Sequence, residues 1–239
     1  MNYYDRYLNG EYEQVWEELQ SLGSAIRQEN HFPLACKIAA ETMQRVRRNL
    51  HIIVSRLQTM DYVFGTYPDG STGYFTQGPL VPPSEKSLAD LAELEEQIGP
   101  LPLSLAAFWR EVGIIDMVGM HPAWPDNLDP LVINEPEGAI SDLENRLWLV
   151  EEEIDQSARF EAGLAPDEFH KDNVSGGPAY SVALPDQSVD FVLLNERHNV
   201  LFVPYLRMAI LKWGGFPGLD RQQGALEGLN YLISDLEPF

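Results

Sequence analysis

The stretch Leu91–Gly113, LAELEEQIGPLPLSLAAFWREVG, decides the fold that this sequence predicts. Its first half repeats leucine and isoleucine at the spacing of one helical face, and that helix ends at Gly99-Pro100. Pro102 begins a second helix whose apolar face includes Trp109, and Gly113 is suited to cap it. The stretch therefore predicts two amphipathic helices that meet at one sharp Gly-Pro-Leu-Pro corner.

The composition is that of a folded chain without a membrane segment. The 239 residues are 44% hydrophobic and 10% aromatic, which is enough to build a core. The single cysteine, Cys36, excludes an intramolecular disulfide and an all-cysteine zinc site. No apolar run approaches the roughly 20 residues of a membrane helix, and the first residues lack the pattern of a secretory signal. We therefore expect a cytoplasmic protein.

The formal net charge of −21 is unevenly distributed. Up to Gly65 there are 7 basic and 8 acidic residues, whereas the rest of the chain has 9 basic and 29 acidic residues. Such a surface repels phosphate backbones, so nucleic acid is not expected as a partner. It favours a basic protein partner, although the acidity can also serve solubility alone.

The charge split and a cluster of turn residues predict three segments. Residues 1–65 form a helical hairpin, residues 66–83 a Gly/Pro-rich turn and linker, and residues 84–239 a second unit. From Met43 to Met60 apolar residues step by 3 and 4, which is a narrow seam suited to one packing partner. We expect the helix near Tyr12–Leu22 to cover this seam, with its glutamates near Arg45, Arg47 and Arg48. Alternatively, the N-terminal helices form a homo-oligomer through the seam.

The remainder of the chain predicts short strands and helices in an α+β arrangement. Strands are expected over residues 114–120, 131–133, 179–184, 189–194 and 200–202, with the third and fourth forming a hairpin. Helices are expected over residues 140–154, 205–213 and 224–236. The fold class is therefore α+β, an N-terminal helical hairpin followed by a mostly antiparallel sheet flanked by helices. Trp109 and Trp148 are expected in the core.

The segment Glu93–Gly113, ELEEQIGPLPLSLAAFWREVG, resembles the opening of the SUKH superfamily. That pattern is an acidic helix with leucines, a glycine, a Leu-Pro corner, and a helix with an aromatic residue before a terminal glycine. The resemblance covers about residues 84–239 and departs from the family at Ile114-Ile115, where members often continue with a glycine-rich turn. It implies an α+β fold and a non-catalytic role, either as a toxin-immunity protein or as a regulatory scaffold like the fungal cell-wall-synthesis regulators. No binding residue of the superfamily can be placed on a position of this chain.

The sequence contains no familiar catalytic signature. It has no Gly-Lys-Ser/Thr phosphate loop, no His-Glu-x-x-His and no Gly-x-Ser-x-Gly. The five histidines are scattered singly, so we expect no metal site and no cofactor. The enzymatic alternative is a site in the loop 167–177, where His170 would act as a general base oriented by Asp167 or Asp172.

Local chemistry nominates seven partner-binding residues in three segments. Trp124 lies between two prolines in an acidic loop and is the tryptophan most expected to be exposed. The loop 167–177 ends in two glycines that allow close approach to the backbone. The segment from Trp213 to Gly218 places two aromatic residues among glycines and a proline, where they either form a binding patch or fill the core beneath a loop. The candidates are Trp124, Asp126, Asp167, His170, Asp172, Trp213 and Phe216.

Overall fold

The computed structural model describes residues 2–73, 78–151, 160–222 and 226–239. The helices are α1 (Tyr3–Leu8), α2 (Tyr12–Ser21), α3 (Phe32–Thr59), α4 (Glu85–Ile98), α5 (Leu103–Glu111), α6 (Pro136–Glu151), α7 (Phe202–Arg207) and α8 (Leu229–Ile233). The strands are β1 (Val63–Phe64), β2 (Leu80–Val81), β3 (Ile114–Asp116), β4 (Gly119–Met120), β5 (Val132–Ile133), β6 (Phe160–Ala165) and β7 (Tyr180–Leu184). The helices predicted over 140–154 and 224–236 therefore extend into residues outside the described ranges.

The predicted corner between α4 and α5 is confirmed. Ser84 and Ser87 form a capping box at the start of α4, so two backbone amides of the first turn are satisfied. Gly99 follows α4 with a φ of +92°, a conformation that favours glycine. In α5 every side chain from Leu103 to Trp109 is buried, and the Trp109 indole donates to the carbonyl of Asn134 at 2.8 Å. The corner thus leads from the amphipathic helix α4 into α5, which is buried along its first seven residues.

The long helix α3 packs against α1, α5 and α8. Its seam residues Met43, Val46, Leu50 and Ile53 have no exposed surface, so the chain itself covers the seam proposed for oligomerisation. The helix α2 is not among the main partners of α3, so the expectation that it covers the seam is wrong. It meets α3 through the Trp16 indole, which donates to the Thr42 hydroxyl at 3.1 Å, and through the Tyr12 hydroxyl, which accepts from Arg45 at 3.0 Å.

The expected pairing between α2 glutamates and the α3 arginines is wrong. Arg45 pairs with Glu41 one turn earlier on α3, and Arg48 pairs with Glu237. Arg47 donates to the backbone carbonyl of Glu111 instead. These arginines are satisfied by α3 itself and by segments that fold back from the rest of the chain.

The strands form three small sheets, and every pairing among the described residues is antiparallel. The strand β3 lies between β2 and β5, β1 pairs with β4, and β6 pairs with β7. Together with the helices, these sheets confirm the α+β class.

The predicted hairpin between residues 179–184 and 189–194 is wrong, because residues 180–184 pair mainly with another strand. The strand β7 pairs with β6, and among the described residues the second segment meets β7 only at an isolated bridge between Ser181 and Leu194. Sequence analysis missed β6 because its sequence, FEAGLA, is rich in residues with low strand propensity. The strand expected at 200–202 is reduced to an isolated antiparallel bridge between Leu201 and Val192, because α7 begins at Phe202.

The core is continuous across the described part of the chain. Buried residues of α1, α2 and α3 belong to the same apolar cluster as those of α5, β7 and α7. The division of the chain at residues 66–83 stays a prediction, and the packed core runs across it. Trp109 is 2% exposed as expected, but Trp148 is 57% exposed because the second half of α6 leaves the core after Leu143.

Candidate functional site

Three of the seven nominated residues line one small cavity. Trp124, Asp126 and Asp172 surround a volume of about 140 Å³, here called the Asp172 cavity. The remaining walls come from β4 and from segments on both sides of it: Tyr62, Pro68, Gly119, Met120, His121, Pro122, Pro125, Asn127, Leu128 and Pro130. Trp124 is half-buried rather than exposed, so that expectation is wrong.

Aromatic rings build one wall of the Asp172 cavity. The Trp124 ring stacks on His121 at 4.6 Å between centroids, with 29° between the ring planes. It also contacts Tyr62 at 5.6 Å, and the edge-on ring of Phe216 at 5.5 Å. Phe216 is fully buried behind this wall, so it fills the core rather than forming an exposed patch. Trp124 is therefore held from three sides.

The carboxyl of Asp172 is partly buried and lies near other carboxylates. Burial raises the pKa of Asp172 to about 6, and the nearby carboxylates of Asp126, Asp129 and Glu168 act in the same direction. Asp172 Oδ2 and Trp124 Nε1 are both buried and have no hydrogen-bond partner among the described residues. Because both atoms are enclosed by the protein, neither is reached by a water-sized group in the cavity.

Asp167 and His170 form a hydrogen-bonded pair next to this cavity. His170 Nδ1 contacts Asp167 Oδ2, and the backbone amide of Phe169 donates to Asp167 Oδ1 at 2.8 Å. Burial raises the pKa of Asp167, but these hydrogen bonds outweigh it and leave the pKa below its ordinary value. The Asp167 carboxylate occupies the space where a Cβ at Gly176 would lie. The glycine predicted to admit a ligand therefore admits a side chain of the protein itself.

A buried ion pair, which the sequence did not reveal, lies beneath this loop. Lys171 Nζ donates to Asp129 Oδ1 at 2.6 Å, and both side chains are completely buried. The Tyr180 hydroxyl donates to the other oxygen, Asp129 Oδ2, at 3.1 Å. Lysine is almost never fully buried unless it is paired, and no local signal marks a partner 42 residues away. The pair joins the loop 166–172 to the segment that precedes β5.

Trp213 lies apart from the other nominated residues. It does not line the Asp172 cavity, and its ring is half-buried with Lys212 Nζ 4.8 Å from the ring centroid. Its indole nitrogen is buried without a partner among the described residues. Of the seven nominated residues, the structure thus groups six around one loop and cavity and separates one.

A much larger depression, here called the α2–α7 groove, was not predicted at all. It has a volume of about 1490 Å³ and separates α2 from α7 and the π-helical turn Met208–Lys212. Trp16, Leu201, Pro204, Met208 and Leu211 form its apolar floor. The floor side chains on the α7 side are all partly exposed. No sequence pattern marks this site, because its two walls are almost 190 residues apart in the chain.

Carboxylates line the α2 side and the base of the α2–α7 groove. Glu13 and Glu17 lie one helical turn apart on α2, are exposed, and form no hydrogen bond or ion pair with another described residue. Glu11 also lines the groove and is paired with Arg6. Asp190 is buried at the base, where it accepts from the Ser104 hydroxyl at 2.6 Å, and burial raises its pKa to about 6.

Arg207 is the basic residue among the described lining of the α2–α7 groove, and it is committed to structure. Its guanidinium donates to the backbone carbonyl of Phe239 and to that of Tyr12, the latter at 3.2 Å. Arg207 therefore joins the start of α2 and Phe239 to α7. These hydrogen bonds hold the α2 and α7 walls of the groove in place in the absence of a ligand. The lining keeps an excess of negative charge.

Comparison of the chain with protein-family models, curated proteins and solved structures gave no match. Within the described ranges no helix is long and apolar enough to cross a membrane. The same ranges contain no group of three or more histidine, cysteine, aspartate or glutamate residues arranged to hold a metal ion.

Proposed function

We propose that this protein is a binding module for a basic protein partner, and that the α2–α7 groove holds an amphipathic helix of that partner. The supporting observation is the combination of a preformed apolar floor with the unpaired carboxylates Glu13 and Glu17 at its edge. Helix-in-groove recognition uses such a floor for apolar anchors, while charges at the rim select the partner.

The dimensions of the groove favour a protein segment over a small molecule. Sites for small ligands typically enclose about 300–1,000 Å³, and the groove, at about 1490 Å³, is larger. Because the floor runs along α2 and along α7 with its π-helical turn, a third helix can lie between them and bury apolar side chains on both. Lysine or arginine side chains on its outer edges then reach Glu13 and Glu17.

Within this class, the resemblance to the SUKH superfamily narrows the proposal to two roles. A toxin-immunity protein would neutralise a basic, nuclease-type toxin, whose own surface must attract nucleic acid. A regulatory scaffold would bind a basic segment of its target. The net charge of −21 supports both roles, because it attracts basic proteins and speeds their encounter.

The binding proposal is tested with a fluorescent 14-residue helix of leucine and lysine, LKKLLKLLKKLLKL, and its lysine-to-glutamate counterpart. We expect anisotropy titrations to show binding of the lysine peptide that weakens as salt rises from 50 to 300 mM, because salt screens exposed charges. The glutamate peptide should not bind. The Glu13→Lys/Glu17→Lys variant should bind the lysine peptide about tenfold more weakly or worse.

The matched control is Glu93→Lys/Glu96→Lys, which makes the same charge change on the exposed face of α4. If both double variants weaken binding equally, net charge and not the groove is responsible, and the proposed site is wrong. The same variants then serve as baits in a cell extract. A natural partner of the groove is captured by the wild type and by the α4 control, and is lost from the groove variant.

A second function, catalysis by His170, is supported only by its hydrogen bond to Asp167. That contact orients an imidazole for general-base work. Among the described residues no hydroxyl or thiol is hydrogen-bonded to its other ring nitrogen. Hydrolysis of 4-nitrophenyl acetate tests this role: a rate lost in His170→Gln but kept in the exposed control His51→Gln would favour it. Equal rates in the two variants would remove it.

A further inference from the structure

The two walls of the α2–α7 groove run in opposite directions. At one end, the carbonyl of Tyr12 at the start of α2 accepts a hydrogen bond from Arg207, the last residue of α7, at 3.2 Å. At the other end, the Gln20 side-chain amide exchanges two hydrogen bonds with the backbone of Asp190, at 3.2 and 3.3 Å. The Asp190 carboxylate in turn accepts from the backbone amide of Val203, in the first turn of α7, at 3.0 Å. The start of α2 therefore faces the end of α7, and the groove has two different ends.

The free charges of the groove lie on one wall. Glu13 and Glu17 are on α2, where both side chains are exposed and form no ion pair with another described residue. The facing wall is built by residues 201–211, which include no acidic residue and one basic residue, Arg207. Lys212 follows directly and is exposed. The groove is thus acidic along α2 and neutral to basic along α7 and its π-helical turn.

The apolar floor lies mainly on the α7 side. Leu201, Pro204, Met208 and Leu211 step along the chain by 3, 4 and 3 residues and form one strip along this wall. Trp16 contributes from α2 and is 4% exposed. A helix in the groove therefore places its apolar face on this strip and one of its edges beside the carboxylates of α2.

This arrangement couples the charge pattern of a bound helix to its direction. A helix that keeps its apolar face on the floor exchanges its two edges when it is turned end for end. If its basic side chains lie on one edge, they reach Glu13 and Glu17 in one direction and face Arg207 in the other. Like charges placed together oppose binding, so the second direction is disfavoured.

We propose that the groove selects a helix with basic side chains on one edge of its apolar face, and that this edge sets the direction in which the helix binds. The inference rests on the proposed function and defines its partner more closely. Glu13 and Glu17 are four residues apart on α2, so two lysines or arginines three or four residues apart on the partner match them. The other edge of the partner is neutral or acidic.

The probes are three 14-residue peptides with the same eight leucines, three lysines and three glutamates. In LKELLELLKELLKL the lysines lie on one edge of the apolar face and the glutamates on the other, since successive residues of an α-helix are about 100° apart. LEKLLKLLEKLLEL exchanges the two edges, and these two are the sorted peptides. LEKLLKLLKELLEL, the mixed peptide, has lysine and glutamate on both edges. The net charge of the protein does not distinguish the three, because their side chains have no net charge.

We expect both sorted peptides to bind about fivefold more tightly than the mixed peptide in anisotropy titrations at 50 mM salt. An exposed ion pair shifts an equilibrium by up to about fivefold, and the mixed peptide brings a glutamate beside the α2 carboxylates in either direction. The preference should shrink as salt rises to 300 mM. The control Glu93→Lys/Glu96→Lys should keep it, because α4 does not line the groove.

A nitroxide at the peptide N-terminus reports the direction of binding, because it broadens nearby amide signals in the ¹H–¹⁵N spectrum of the protein. Gly10 precedes α2 and Ser21 ends it, and both line the groove. The helix between them is ten residues, or about 15 Å, long. One sorted peptide should broaden the signal of Gly10, and the other that of Ser21. In Glu13→Lys/Glu17→Lys each sorted peptide should bind in the reverse direction, since its glutamate edge now faces α2.

The outcomes separate this inference from the proposed function. If the lysine peptide LKKLLKLLKKLLKL binds but the mixed peptide binds as tightly as the sorted ones, the groove holds a helix without reading its edges, and only this inference is overturned. It is also overturned if both sorted peptides broaden the same end of α2, or if charge reversal on α2 leaves their direction unchanged. If none of the four peptides binds, the proposed function fails and the inference fails with it.

Discussion

Replacing Lys171 by methionine should cost more stability than almost any other single change on the loop 166–172. Lys171 Nζ lies 2.6 Å from Asp129 Oδ1, and both side chains have no exposed surface. Methionine fills the space of the lysine stem but leaves the carboxylate without its counter-charge. The Tyr180 hydroxyl, 3.1 Å from Asp129 Oδ2, is then the remaining side-chain donor to that carboxylate among the described residues.

The expected magnitude follows from this burial. Removing one partner of a buried ion pair costs about 3–5 kcal/mol, because the other charge stays buried and uncompensated. A folded domain has about 5–15 kcal/mol of stability in total. At this chain length 1 kcal/mol corresponds to about 2–4 °C in melting temperature, so Lys171→Met should melt about 6–20 °C below the wild type. Circular dichroism at 222 nm measures the difference.

A double-mutant cycle separates the ion pair from simple packing. Asp129→Asn neutralises the partner, and asparagine tolerates the φ of +51° at this position. Lys171→Met/Asp129→Asn should lose less stability than the sum of its single variants, by about 1–3 kcal/mol. The control Lys86→Met breaks ion pairs of a lysine that is 61% exposed and should cost less than about 1 kcal/mol. A Lys171→Met variant that melts like Lys86→Met, or a strictly additive cycle, would refute the reasoning.

Three further changes test other parts of the fold. Burial raises the pKa of Asp116 from 3.8 to about 7. Between these pH values the folded state holds a proton that the unfolded state releases, so the stabilisation from this proton is complete below about pH 3.8 and is lost as pH rises to about 7. The free energy of unfolding of Asp116→Asn, measured in urea, should therefore rise by about 2–3 kcal/mol relative to that of the wild type between pH 4.5 and pH 6.5. A difference between the two proteins that does not change with pH would contradict this. Gly119→Ala places a Cβ 2.5 Å from the Tyr62 ring, so it should lower the free energy of unfolding by about 1–3 kcal/mol in the same assay. An unchanged urea midpoint would show that β1 and β4 can move apart without cost. Leu50→Ala should lower the free energy of unfolding by about 2–5 kcal/mol, because the residue is completely buried within the chain. The molecular mass measured by light scattering should not change; a changed mass would indicate that the seam packs between copies of the chain.

Sequence reasoning succeeded where the signal was local and failed where it was not. The corner at Gly99-Pro100 was predictable, because helical periodicity and helix-ending residues lie within a few positions of each other. The strand β6 was not predictable from FEAGLA, since its pairing with β7 compensates for weak local propensity. Trp148 was misplaced because periodicity identifies an apolar face but not how far along a helix the core extends.

The candidate sites, too, were predictable only where the signal was local. Loop chemistry drew attention to Asp172 and Trp124, but nothing in the sequence indicated that residues 48 positions apart line one cavity. Lys171 was overlooked because a lysine beside aspartate normally indicates a solvated surface. The α2–α7 groove joins residues near both ends of the chain, and only the folded structure brings its carboxylates and apolar floor together.

The buried ion pair lies beside the Asp172 cavity. Lys171 precedes Asp172 in the chain, and Asp129 lies between Leu128 and Pro130, which line the same cavity. The ion pair therefore joins the loop that carries Asp172 to another segment that lines the cavity. Buried ion pairs often add little net stability compared with apolar residues, and their better-attested contribution is to fix register. On this reasoning, Lys171→Met/Asp129→Asn regains stability over Lys171→Met but leaves the loop 166–172 and the segment before β5 without the ion pair that joins them.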